Sequence, residues 1–468
     1  MPKYPGFVGP ANPSQSYMAE YARLVNWYVE NGALMPCPGF NLFASVTPAP
    51  IRGCFAQRDR AFFVAGFALY ELFANGTTIQ RGTVLADTNP VTFDANGDAG
   101  NQLWITSGGV GYIYDLTSDT LTVEGVPATI VSMGGFLSGR FLYLDATTGA
   151  FYASAIYDGT TWDASMIAQS ESGDPWRALI VTPDGLIRLL GETTSEAWAD
   201  QGASPFPFSK IQEATIPYGI VAPFAWGVDT ALTWVAQNKQ GRGIIVRSAG
   251  YQPTKLSSVA IDTTIQGYGT LSDTLVLSYQ QRGQSVTMLS FPTGGQTWAV
   301  NQEGLLHELA SWDATSGSFQ PSRIGCVLPA FNRLFVGDRL KGHIYEMGPQ
   351  FSTDIGGGII RRVRQPPRLS VDQRRFVTHS LEVVMDTGQG LVTGQGSDPQ
   401  LMLETSVDGG KIFGNERWAS TGRIGEFGTR VNWTRCGQAR NRVDRFVATD
   451  PVPWRLVDCV IDYTVGMN

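Results

Sequence analysis

The sequence predicts an all-β protein, a degenerate β-propeller of about six blades followed by a C-terminal β-sandwich. Three features lead there. Short apolar strands recur in pairs around turns that carry Gly, Asp or Asn. Apolar spacing at the helical period is weak beside them. Charged residues make up only 16% of the 468-residue chain, a texture that suits neither helical bundles nor disorder.

Residues 1–55 read as an N-terminal strap or platform segment. Within it, Ser16–Trp27 departs from the β texture. Tyr17, Tyr21, Leu24 and Val25 share one helical face there, among Pro-rich surroundings that oppose a helix. Met1–Pro13 lacks a basic stretch followed by an apolar run, so no signal peptide is expected, and no apolar run is long enough to span a bilayer. Synthesis in a cytosol is the expectation.

The propeller is expected over 56–350. Its hairpins begin with RAFFVAGFALYEL (Arg60–Leu72), NQLWITSGGVGYIYDL (Asn101–Leu116), GRFLYLDATTGAFYASAIY (Gly139–Tyr157) and RALIVTPDGLIRLL (Arg177–Leu190). They continue with ALTWVAQNKQGRGIIVRS (Ala231–Ser248), DTLVLSYQQRGQSVTMLSF (Asp273–Phe291), QTWAVNQEGLLHEL (Gln296–Leu309) and NRLFVGDRLKGHIYEM (Asn332–Met347). One four-stranded blade cannot bury both its faces. Radial packing of several hides them and leaves only short edges. Six blades suit the spacing best, five or seven also fit, and pairing of the final hairpin with the first would close the ring.

A linker is expected over 351–375, where Gly356, Gly357 and Gly358 precede Pro366 and Pro367. Over 376–468, the segments FVTHSLEVVMD, QLMLETSVDGGKIFG, GTRVNWTRCGQARNRVDRFVATD and WRLVDCVIDYT alternate apolar and polar positions, as sandwich strands do.

Several segments resemble the tail hub, or nozzle, proteins of short-tailed bacteriophages, also called packaged-DNA stabilisation proteins. They are Arg23 with Val25–Tyr28, Cys37–Phe40, GETTSEAW (Gly191–Trp198) and FPFSKIQEATIPYGIVAP (Phe206–Pro223). KLSSVAIDTTIQ (Lys255–Gln266), Thr297–Trp298, VGDRLKGHIYEM (Val336–Met347) and the terminal strands continue the likeness in the same order. Gly283-Gln284 departs from a Gly-His frequent in such blades. The resemblance implies a virion protein of the phage tail that forms a homohexameric ring below the portal–adaptor complex. Such a ring extends the DNA channel, retains packaged DNA until ejection, and offers docking surface to tail fibres, spikes or a plug. Its implied partners are copies of itself, the adaptor ring, a fibre, spike or plug protein, and double-stranded DNA bound without sequence specificity.

Chemistry is sparse. The net charge of −7 does not advertise affinity for phosphates. Cys37, Cys54, Cys326, Cys436 and Cys459 form no CxxC and read as reduced thiols. His307, His343 and His379 lack metal-binding spacing, and neither a P-loop nor a GxSxG elbow is present. No catalytic residue, cofactor or metal is therefore expected, and the chain reads as a non-enzyme.

The alternative is a carbohydrate-active or host-glycan-binding propeller, sialidase-like or an adhesin. It draws on the Asp-box SVDGGKIF (Ser406–Phe413) and on Glu192 and Glu196 as candidate carboxylates. The plainer reading of the box is a turn held by Asp408. Asp94, Asn96 and Asp98 invite a Ca²⁺ ion but lack the closing Glu, and read as a polar turn. Trp176, Trp198, Phe206 and Phe208 would mark a contact patch if exposed together, or blade packing if not.

Arg361, Arg362, Arg364, Arg368, Arg374 and Arg375 are the strongest local charge feature. Two readings stand: ring-interface or DNA-channel contacts, where guanidinium forks suit carboxylate and phosphate alike, or a solvated interdomain linker.

Overall fold

The computed structural model describes residues 2–14, 21–98, 100–212 and 214–466, and among them strands dominate, with a single α-helix at Val259–Gln266. All eight hairpins form, and most become the middle of a four-stranded antiparallel blade. The first blade runs Ile51–Gln57, Arg60–Ala65, Ala68–Leu72 and Thr78–Thr83. The second runs Thr92–Ala95, Gln102–Ser107, Val110–Asp115 and Thr120–Val123, and the third Val131–Leu137, Arg140–Asp145, Ala150–Ala155 and Asp158–Ala168. Ala178–Thr182, Leu186–Leu190, Ser195–Asp200 and Phe208–Lys210 make the fourth. The fifth has its inner strand split into Gly219–Ile220 and Trp226–Val228, then Leu232–Asn238, Gly241–Ala249 and Gln252–Lys255. Two hairpins share the sixth, Leu275–Gln281 to Phe291 and Gln296–Asn301 to Glu308.

The seventh blade closes the ring. Ile324–Ala330, Arg333–Asp338 and His343–Gly348 supply three strands, and Gly39–Ser45 adds the fourth on the outside, in register from Gly39↔Gly348 to Ser45↔His343. The final hairpin thus pairs with Gly39–Ser45 and not with the hairpin Arg60–Leu72, which lies inside the first blade. Seven blades stand where about six were favoured. Seven is the number at which eight hairpins, two of them sharing the sixth blade, all have a place.

Near the axis the inner strands of successive blades lie side by side and crowd one another. Glycine makes the approach possible at two of them. A Cβ at Gly53 would stand 2.5 Å from the Val91 carbonyl of the second blade, and one at Gly227 2.7 Å from Ser278 Oγ of the sixth. Apolar side chains from facing blades fill the wedges between them, such as Phe62, Val64, Leu103 and Ile105 between the first and second.

The sandwich draws on both ends of the chain. One sheet orders Trp27–Glu30, Ala33–Pro36, Leu456–Val465, Phe376–Met385 and Val431–Thr434, with Gln438–Ala439 also paired to Phe376–Met385. The facing strands are Arg23–Val25, Arg362–Gln365, Asn441–Ala448, Gln400–Ser406 and Arg417–Ser420. Period-two alternation explains the burial. Phe376 and Thr378 point inward, a bulge before Ser380 shifts the pattern by one, and Leu381 and Val383 then point inward. Trp27 meets Trp454 edge-on in the core, ring centroids 6.4 Å apart. Val25 also pairs in parallel with Glu308, so one hydrogen-bonded sheet runs from the sixth blade into the sandwich. Of Ser16–Trp27, where the apolar spacing offered a helical face, residues 16–20 lie outside the described residues, while Arg23–Val25 and the stretch from Trp27 are strands. Ladder pairing with the sixth blade and the sandwich outweighs the weak helical spacing.

Candidate functional site

Folding separates the six arginines. Arg362–Gln365 pairs with Arg23–Val25 on one side and with Asn441–Ala448 on the other, which carries its arginines into the middle of the sandwich sheet. Arg364 is 1% exposed. It donates to the carbonyls of Phe7 at 2.7 Å, Arg23 at 3.2 Å and Gly6, clamping the N-terminal stretch. Burial pushes its guanidinium down to about 9, still a cation near neutral pH. Arg362 is equally enclosed and faces Cys37 and Asp354, and burial pushes it down to about 10. The Asp354 carboxyl is in turn pushed up to about 6 by burial, against hydrogen bonds from Ser311 and the Ile355 N–H.

Arg361 is half-buried, its guanidinium 4.8 Å from the Trp312 ring centroid and 3.7 Å from Glu416. Arg368 is half-buried as well. Arg374 and Arg375 are exposed. A tight turn sets them outward: Asp372 and Gln373 adopt φ of 46° and 57°, and the Arg374 N–H donates to the Val371 carbonyl at 2.8 Å.

The propeller axis holds a side-chain-lined cavity of about 340 Å³, bounded among others by Arg52, Phe93, Asp94, Leu179, Trp226 and Val276. Its ionisable groups are occupied by joints between blades. Arg52 donates to the carbonyls of Asn89 at 3.0 Å and Gly66 at 2.8 Å and to Ser107 Oγ at 2.9 Å, and it pairs with Asp87. Asp94, on the inner strand of the second blade, accepts from the Phe136 N–H of the third at 2.6 Å, and burial pushes its carboxyl up to about 6.

The candidate carbohydrate residues do not gather at this axis. Glu196 is buried on the third strand of the fourth blade, where Lys210 Nζ at 3.3 Å and Trp198 Nε1 at 3.1 Å donate to it. Glu192 is exposed and paired with Arg177 at 2.9 Å. The Asp-box is a turn in the sandwich. Asp408 Oδ1 accepts from Ser406 Oγ at 2.6 Å and from the N–H groups of Lys411 at 2.9 Å and Ile412 at 3.1 Å. Its aromatic, Phe413, lies under the Arg445 guanidinium at 3.6 Å.

In the 94–98 loop, Asn96 Oδ1 accepts from the Gln102 N–H at 2.9 Å, closing a polar turn, and no cluster of metal-ligating side chains occurs among the described residues. Trp176, Trp198 and Phe208 do cluster, with Trp176 and Trp198 centroids 5.6 Å apart, but they are buried and pack the fourth blade against Phe151 of the third. His307 is buried in the sixth blade against Tyr28, His343 is half-buried beside Tyr345, and His379 is exposed on Thr464.

Two features went unnoticed in the sequence. Arg442 and Asp444 form a buried bidentate pair, both Nε and Nη2 reaching the carboxylate at 2.7 Å. The only signal for it is their spacing of two on a strand, which puts both on one face. Trp418, Ile424 and Phe427 stand exposed at the sandwich. Their Gly-rich surroundings conceal that exposure in the sequence.

The chain is thus an all-β protein in which a seven-bladed propeller and a sandwich are joined through a common sheet. Residues 19–352 match the family model described as bacteriophage P22 Gp10, beta-propeller, and residues 361–464 that described as bacteriophage P22 Gp10, beta-sandwich. The chain belongs to this family, the structural tail proteins of short-tailed phages, and its place is the virion tail. No curated protein matches it. Two solved structures resemble it distantly. Virginiamycin B lyase from Staphylococcus aureus is 8% identical, with a TM-score of 0.46 over 65% of this chain and 97% of that one. The RRP9 WD40 repeats are 9% identical, with a TM-score of 0.42 over 67% and 99%. Likenesses this weak carry nothing about chemistry.

Proposed function

We propose that copies of the chain assemble as a homohexameric ring of the tail nozzle, below the portal–adaptor complex. There they extend the DNA channel, retain the packaged genome, and present docking surface to tail fibres or spikes. The observation that carries this reading is the propeller's narrow axis. The inner strands crowd the axis, and the cavities left there, about 340 and 360 Å³, take a small molecule and not a duplex, so on this reading the DNA path is the space enclosed by several copies. The exposed Arg374 and Arg375 suit contacts to phosphate on that path or to carboxylates of a neighbouring copy. Exposed Trp418, Ile424 and Phe427 suit closing contacts between copies. The role needs no catalytic residue, cofactor or metal.

Particles assembled without this chain test it. They are expected to package DNA and then lose it, read as DNA content per purified capsid. Capsids that stay full without the chain would contradict the proposal.

A further inference from the structure

Two of the five cysteines meet at the seam where the ring of blades closes. Cys54 lies on the innermost strand of the first blade, Ile51–Gln57, and Cys326 on that of the seventh, Ile324–Ala330. These strands are neighbours around the axis, and each carries a bulge just before its cysteine, between Ile51 and Gly53 and between Ile324 and Cys326. Both cysteines belong to one apolar cluster with Ile51, Phe63, Leu328 and Phe335. The two thiols adjoin one another, and both residues line the axial cavity. Cys326 is buried and Cys54 is partly exposed.

We propose that Cys54 and Cys326 are an oxidisable pair whose disulfide bridges the first and seventh blades, locking the propeller once the virion has left the reducing cytosol. The proposal rests on the virion location and is independent of the ring. The co-reactant is a low-molecular-weight disulfide that reaches the partly exposed Cys54. The Cys54 thiolate, the more accessible, attacks one of its sulfurs, that S–S bond breaks, and one small thiolate leaves. The Cys326 thiolate then attacks the Cys54 sulfur and expels the second. The pair gives up two electrons and two protons, and the small disulfide becomes two thiols.

Burial and the adjoining Cys326 thiol push Cys54 well above the ordinary thiol range, which keeps its thiolate rare and the exchange slow. The cross-link would tie residues far apart in sequence, the case in which a bridge most restricts the unfolded chain.

The test incubates the full-length chain at pH 8.5 with excess oxidised glutathione, quenches it with an alkylating agent in denaturant, and maps the peptides by mass spectrometry. The expected result is a Cys54–Cys326 cross-linked peptide, with Cys37, Cys436 and Cys459 alkylated. A thermal midpoint raised by roughly 5 °C or more is expected with it, reversed by reductant and absent in Cys54→Ser. Five alkylated thiols, or glutathione adducts without the cross-link, would overturn the proposal.

Discussion

Arg442 and Asp444 face one another in full burial, and their stabilising role depends on both being present. Thr405 Oγ1 takes a hydrogen bond from the same guanidinium at 3.1 Å and gives one to the carboxylate at 2.8 Å. Arg442→Ala therefore leaves a buried carboxylate uncompensated, and the expected loss is about 3–5 kcal/mol in urea unfolding. The double variant Arg442→Met with Asp444→Leu is expected to recover most of it. His307 gives the pH test. Burial pulls its imidazole from the ordinary 6.5 down to about 4, so its neutral form contributes stability that is fully present above pH 6.5 and lost as pH falls through 4. The loss approaches about 3 kcal/mol, and a His307→Leu variant should show correspondingly less acid sensitivity between pH 7.5 and 4 in urea titrations. Asp94 and Asp354, raised to about 6, run the other way: their contribution is full below 3.8 and lost as pH rises through 6. The difference between wild type and variant isolates the histidine. The charge of RRVRQPP was legible in the sequence, but its burial was not. The carbonyls that receive Arg364, those of Gly6, Phe7 and Arg23, come from the other end of the chain.

Strands were legible wherever a turn joined them. Arg60–Ala65 with Ala68–Leu72 and Arg140–Asp145 with Ala150–Ala155 announce themselves through β-branched and aromatic residues around a short polar turn. Gly39–Ser45 did not, because its partner His343–Gly348 lies about three hundred residues away and no local turn links them. The helix Val259–Gln266 was also missed. Its length is only eight residues, and its cap, Ser258 accepting from the Ile261 N–H at 3.4 Å, is a weak signal. The closing strand carries the element-scale prediction. A Cβ at Gly39 would collide with the Phe351 carbonyl, backbone that cannot swing aside. Gly39→Ala is expected to loosen the seventh blade and cost about 1–3 kcal/mol, with faster amide exchange concentrated in His343–Gly348. Unchanged exchange there would show that the strand does not hold the ring closed.

At the scale of the whole molecule, both ends of the chain contribute to the sandwich, and its N-terminal part also completes the seventh blade. Arg23–Val25 joins the sixth blade to the sandwich, and Gly39–Ser45 ties in the seventh. Propeller and sandwich are therefore joined through hydrogen-bonded strands and a shared apolar core. That joint suits the proposed role as a wall of the DNA channel. Cryo-electron microscopy of the source particle tests this most directly. The account predicts a six-fold ring of propellers below the portal–adaptor complex, each with its own axis closed and with Arg374 and Arg375 facing DNA or the next copy. A chain absent from that position, or DNA density threading the propeller axis, would contradict it.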